Sequence, residues 1–373
     1  MRPGDPGTGS MSGMTMAPTR TLVRSDYVII GGGAAAVVLA AVTRFVGGGA
    51  VVAFLCAAVA VTLLASLVGR SVEQLGDRFG PGATGVLQSA LGNLPELFIA
   101  LFALKAGLVD VVKAALIGSI LANLLLVLGL CFVVGGLKHG TQKLDSERAR
   151  SIIVLMVLSV AALVLPSLAH LLHTPASRHE NTLSLIVSGI LLLLFVLTLP
   201  ASLKRQPGEQ VEESMHQEPP RWPTGLAVAL LALAAVLAAF VSDWFVHALE
   251  PAMATLHISD AFAGLVIVAI AGNAIENVVG VQLAAKNRSE YAFSVVINSP
   301  MQIALVLAPV LVILSQVLGF AALTLVFSPM LIVSVAIAVI LSAFITFDGE
   351  SNWIEGAALI AVYVIIAASF WWG

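Results

Sequence analysis

Charge is what this chain has least of. Asp, Glu, Lys and Arg make up 10% of its 373 residues, against 59% hydrophobic residues and a mean hydropathy of +1.02. That balance excludes a soluble domain, in which about a quarter of residues are charged. Cysteine is nearly absent: Cys56 and Cys131 both fall within apolar runs, which argues against a disulfide framework and against a metal or redox role. The long hydrophobic runs lack apolar-polar alternation, so membrane-spanning strands are excluded. No histidine pair has metal-ligand spacing, and there is no Gly-x-Ser-x-Gly elbow and no phosphate loop. Gly31, Gly32 and Gly33 stand without the rest of a dinucleotide fingerprint. Residues 1–26 lack the apolar core of a cleaved signal and read as a disordered cytoplasmic tail.

What is present is a series of apolar runs, each long enough to cross a bilayer as a helix of about 20 residues. They lie near 27–47, 50–69, 82–104, 109–136, 150–172, 182–203, 223–248, 260–285, 290–317, 321–346 and 352–372. The expected fold is an all-α integral membrane protein with eleven transmembrane helices. Lysine and arginine placement tests that count: alternate connections divide the 18 basic residues 14 to 4, the minority being Arg44, Lys105, Lys113 and Arg178. Because basic residues stay cytoplasmic, the N-terminus is expected inside and the C-terminus outside. The polar connection 204–222 reads as a cytoplasmic linker, with Glu209, Glu212 and Glu213 as candidates for cation sensing. The histidines cluster near span ends and read as loop residues, and the terminal "SFWWG" as an interfacial anchor.

Inside this apolar frame sit two polar knots, "GNLPELFIALFAL" from residue 92 and "GNAIENVVGVQLA" from residue 272. They align Gly92, Asn93 and Glu96 with Gly272, Asn273 and Glu276, each pair 180 residues apart. The register continues through Asp110 and Glu290 to Ser119 and Ser299. The topology runs the two knots in opposite directions. The prediction is therefore a first helix, 27–47, followed by two inverted five-helix repeats, 50–203 and 223–373. Interrupted helices in inverted repeats are how many secondary transporters build a midplane site with alternating access. Pro95 has no N–H to offer the carbonyl of Leu91, and Gly92 and Gly272 allow close helix approach.

An acidic residue in a membrane span is functional by default, and Glu96 and Glu276 form a symmetric pair. With Asn93, Asn273, Ser119, Asn123, Ser299, Gln302 and the backbone at Leu91, Gly92 and Gly272, they supply hard oxygen ligands and no soft ones. That set suits calcium, which takes six to eight oxygens, better than zinc or copper. Once the cation leaves, two close carboxylates repel each other and protons replace it. No cofactor is called for; the ion is the substrate.

The stretches "GNLPELFIALFALKAGLVDVVKAALIGSILANLLLVLG", "VAIAGNAIENVVGVQLAAKNRSEYAFSVVINSPMQIALVLAPVLVILS" and "FDGESNWIEGAALIAVYVIIAASFWW" resemble the calcium/proton exchangers of the cation/calcium antiporter superfamily. The resemblance implies an eleven-helix fold, calcium bound between Glu96 and Glu276, and acidic residues along the access paths, here Glu73 and Asp243. The expected setting is a cell membrane, that of a prokaryote, with calcium and protons as substrates, membrane lipid as a partner, no nucleic acid, and a homo-oligomer left open. The chain departs from the family's pattern at Asn277, where histidine is usual, at Asn298 and Pro300, where glycine and a small polar residue are usual, and at Gln88, where asparagine is usual. The alternatives are exchange coupled to sodium or potassium, a passive channel, and a membrane-embedded enzyme, whose motifs are missing.

Overall fold

The computed structural model describes residues 22–79, 91–144, 146–203 and 221–372; the side chains of 76–79, 146–152, 199–203 and 274–276 lie outside that description. Most of the predicted tail, Gln88 and nearly all of the 204–222 linker therefore lie outside the described residues.

The chain is nearly all helix. In order the elements are α1 (Arg24–Phe45), α2 (Ala50–Phe79), α3 (Leu94–Lys105), α4 (Val109–His139), β1 (Gln142–Lys143), α5 (Ser146–Leu171), α6 (Glu180–Leu203), α7 (Thr224–Leu256), α8 (Asp260–Gly272), α9 (Ala274–Ala285), α10 (Ser289–Val317), α11 (Pro329–Thr346), β2 (Glu350–Ser351) and α12 (Trp353–Ser369). Among the described residues eight helices are long and apolar enough to cross a membrane, and α8 with α9 makes a ninth span bent by 60°. α12, with 17 residues, and α3, with 12, are shorter. Among the described residues the strands are the antiparallel pair β1–β2, two residues on each.

Sequence periodicity carries no register for a membrane helix buried on several sides, and the core shows why. α4 crosses α8 at bare backbone. A Cβ on Gly118 would meet the carbonyl oxygen of Leu265 at 2.3 Å, and one on Gly264 would meet that of Val111 at 2.3 Å. α4 crosses α12 in the same way through Gly129 and Gly356. With no hydrophobic driving force between helices in lipid, such small-residue contacts provide the packing that holds them together.

The predicted span 321–346 begins later than expected. Residues 320–328 are non-helical, and α11 starts only at Pro329, with Ser328 as its N-cap. Proline fits the first turn, where no N–H is required. Unwound backbone survives inside a membrane protein where other groups satisfy it, and here serines do so. Ser184 Oγ accepts from the amide of Leu325 at 2.9 Å, and Ser315 Oγ from that of Leu323 at 3.0 Å. Ser167 Oγ accepts from the amide of Phe327 and donates to the carbonyl of Leu325, both at 2.9 Å. Other ends extend past their predicted limits: α4 runs to His139 and α7 to Leu256.

Among the described residues three π-helical segments interrupt the bundle: Ala122–Val127 in α4, Ala263–Val268 in α8 and Ile303–Leu307 in α10. In α10 the segment follows Pro300, which cannot donate to the carbonyl of Val296. Such segments recur at functional sites, and each of these adjoins the polar centre described below.

If the α4–α8 crossing depends on bare backbone, Gly264→Val should lower thermal stability in detergent by about 1–3 kcal/mol or more. Gly189→Val, where an added Cβ meets nothing within 4 Å, should leave the midpoint unchanged.

Candidate functional site

Both Gly-Asn pairs break their helices. Asn93 (φ −92°, ψ 14°) caps α3, with Pro95 in the first turn, and Asn273 (φ −97°, ψ 25°) stands between α8 and α9. α3 and α9 begin 180 residues apart, as do α4 and α10.

The break at Asn273 brings α8, α4 and α10 together. Asn123, fully buried in the π segment of α4, carries its amide nitrogen to Asn273 Oδ1 at 2.9 Å, to the Ser119 carbonyl at 3.0 Å and to Ser299 Oγ at 3.2 Å. Two hydrogens are thus shared among three acceptors. Ser299 also donates to Asn273 Oδ1 at 3.2 Å, and Asn273 Nδ2 donates to the carbonyl of Ala269 at 2.9 Å. Asn273 Oδ1 is therefore held by two donors. By contrast Asn123 Oδ1 is buried and has no hydrogen-bond partner. An unsatisfied buried acceptor costs about 1–3 kcal/mol, so this oxygen is disposed to take a ligand.

Glu96, 3% exposed on α3, lies against the same centre. Ser119 Oγ donates to its Oε1. A Cβ on Gly272 would sit 3.3–3.4 Å from the Cβ, Cγ and Cδ of Glu96, so the carboxylate packs directly on the α8 backbone where the helix breaks. On the flank, Asn93 Nδ2 donates to Gln302 Oε1 at 3.4 Å. Leu91 and Gly92 precede the break, half-buried.

Of the sequence-derived candidates, Glu96, Ser119, Asn123, Gly272, Asn273 and Ser299 thus form one buried cluster, with Asn93 and Gln302 beside it. The Glu276 side chain lies outside the described residues, though its backbone continues the first turn of α9. Glu73 and Asp243 are exposed, on α2 and α7, two helices that pack against each other. Sequence reasoning missed the carbonyl of Ala269. Its position, four residues before an asparagine at a helix end, was the available signal. It also missed a buried, unpartnered oxygen on Asn277, Oδ1.

The family model for sodium/calcium exchanger proteins matches residues 49–204 and matches a second time at 226–372. The chain belongs to that family. It is 38% identical over 322 residues to the Ca(2+)/H(+) antiporter ChaA of Bacillus subtilis (strain 168), covering 85% of this chain and 91% of that one. It is 35% identical over 338 residues to a Ca(2+)/H(+) antiporter of Aphanothece halophytica, covering 85% and 89%. The solved structure of native YfkE superposes with a TM-score of 0.79 at 35% identity, over 92% of this chain and 99% of that one. The resemblance to calcium/proton exchangers drawn from the knots is thus borne out. α1 lies outside both matched stretches.

Asn123→Ala removes the donor shared by three partners and should destabilise the fold by about 1–3 kcal/mol in detergent unfolding. Asn298→Ala, whose amide reaches only Ser294 Oγ at 3.4 Å, should change the midpoint little.

Proposed function

We propose that the chain is a secondary transporter exchanging calcium, or a similar divalent cation, for protons, by alternating access at a midplane site built on Glu96 and Glu276. The observation that carries this reading is the buried Glu96 carboxylate and the unpartnered Asn123 Oδ1, both joined to Ser119 in a cluster of hydroxyl and amide groups without a soft ligand among the described side chains. Calcium selects hard, irregularly arranged oxygens. Relatives of 35–38% identity named Ca(2+)/H(+) antiporters point the same way.

In this reading Asn123 Oδ1, carbonyls near Leu91 and Gly92, and the two glutamates surround the ion. Ser119, Ser299, Asn93, Asn273 and Gln302 orient them or join them as ligands. When the ion departs, the carboxylates take protons, and Glu73 and Asp243 relay them at the exposed edges of α2 and α7. The fold is eleven spans, α3 and α12 serving as the two short ones and α8 with α9 as one bent span, arranged as one helix plus inverted repeats 50–203 and 223–373. The common 180-residue offset of α3 with α9 and of α4 with α10, and the double family match, support that arrangement.

The membrane is a prokaryotic cell membrane, with the N-terminus and the 204–222 linker cytoplasmic and the C-terminus outside. Contacts between helix ends agree with this charge-based orientation. The start of α1 meets the end of α2 and the start of α7 through Asp26, Arg70 and Trp222, and His139 at the end of α4 meets Ala285 at the end of α9.

Glu96→Gln and Glu276→Gln should each abolish calcium-45 uptake driven by a pH gradient in proteoliposomes while the protein still inserts, since each removes a charge and a proton acceptor. Wild-type uptake by either variant would end this mechanism.

Asn277 favours a second reading, because a neutral oxygen stands where the resembling family carries histidine. In the main reading Asn277→His should alter the pH profile of uptake between about 5 and 8, where imidazole titrates, without being needed for transport. Calcium movement by the native chain against sodium but not against protons would mark a change of coupling ion.

A further inference from the structure

At the end of the bundle where α4 and α9 finish, a cavity of about 490 Å³ opens between β1 and the start of α10. It shares no residue with the Glu96 centre. Its walls are rich in donors. Lys143 and Arg288 are exposed, and neither has a hydrogen bond or ion pair from its side chain among the described residues. Gln142, 3% exposed, also borders the cavity, its side-chain amide packed against the Gly135 backbone of α4. α10 begins here at Ser289, and its N-cap residue, Arg288, offers no side-chain cap, so the positive end of a long helix opens onto the same space. Glu290 is the single carboxylate among the described lining residues. Cations of this kind bind phosphate oxygens through short charge-assisted hydrogen bonds.

We propose that this cavity binds a phosphate group, on an anionic membrane lipid or free in solution, between Lys143, Arg288 and the start of α10. The volume exceeds that of one phosphate. Leu137, 67% exposed and two residues before His139 on the rim, gives an acyl chain a surface to lie on. Basic pockets at helix ends are a recognised setting for lipid headgroups. A phosphate held there ties the α4–β1 connection to the α9–α10 connection, alongside the His139 Nε2 contact with the Ala285 carbonyl at 3.1 Å.

The test uses the full chain in uncharged detergent, titrated with inorganic phosphate by calorimetry, and in nanodiscs of phosphatidylcholine with or without phosphatidylglycerol, followed by thermal unfolding. Wild-type protein should bind phosphate, Lys143→Gln/Arg288→Gln should bind at least about tenfold more weakly, and Lys143→Arg/Arg288→Lys should retain binding. A midpoint raised by phosphatidylglycerol in the wild type but not in the Gln double variant, with inorganic phosphate cancelling the rise, identifies the lipid as the source. Phosphate binding indifferent to phosphatidylglycerol identifies the solute. Absence of both responses in the wild type, or equal responses in a monodisperse Gln double variant, overturns the proposal. Should the double variant aggregate, Arg288→Gln alone decides in the same way.

Discussion

A carboxylate kept among apolar helices is the constraint on which the rest of this structure depends. Moving a charged side chain to the centre of a membrane span is expensive, about 2.5–3.5 kcal/mol even on insertion scales. Glu96 is 3% exposed. The surrounding fold is organised to give it polar neighbours. Ser119 donates from α4, and the Gly272 backbone lies under the carboxylate because that residue has no side chain. Asn123, Asn273 and Ser299 hold that backbone at the height where α8 breaks. The partners come from α4, the end of α8 and α10, so the site exists only when these helices and α3 are all in place.

Breaking helices inside a membrane creates a second problem, since freed backbone groups have no water to turn to. The molecule meets it repeatedly with small polar side chains. Asn273 turns its own amide back onto the Ala269 carbonyl. Ser167, Ser184 and Ser315 stitch the unwound residues before α11 to α5, α6 and α10. Where no polar group is available, the helices touch backbone to backbone, and Gly118, Gly264, Gly129 and Gly356 make that approach sterically permissible.

The helix outside the family match is fastened by different means. Asp26 on α1 is 1% exposed; it accepts from Arg70 of α2 at 2.6 Å and from the indole of Trp222, just before α7, at 3.1 Å. Gln74 of α2 accepts from the amides of Arg221 and Trp222 at 2.8 and 3.0 Å. α1, α2 and the start of α7 are thus tied at one end.

Hydropathy and charge placement alone determined that this chain is a bundle of membrane helices, roughly where each lies, and that Gly92, Asn93 and Glu96 recur 180 residues on as Gly272, Asn273 and Glu276. Those features are legible because transfer from water to lipid, and the cost of a carboxylate in it, are properties each segment has by itself. Only the tertiary structure decided that 320–328 unwinds, that π segments flank the centre, that Asn123 is its hub with one oxygen left unpartnered, and that Glu73 and Asp243 lie exposed. None of these could be read in advance, because a hydrogen bond from Asn123 to Asn273, or a backbone contact from Gly118 to Leu265, depends on a partner some 150 residues away. Segment composition carries no record of which partner the packed bundle brings within 3 Å.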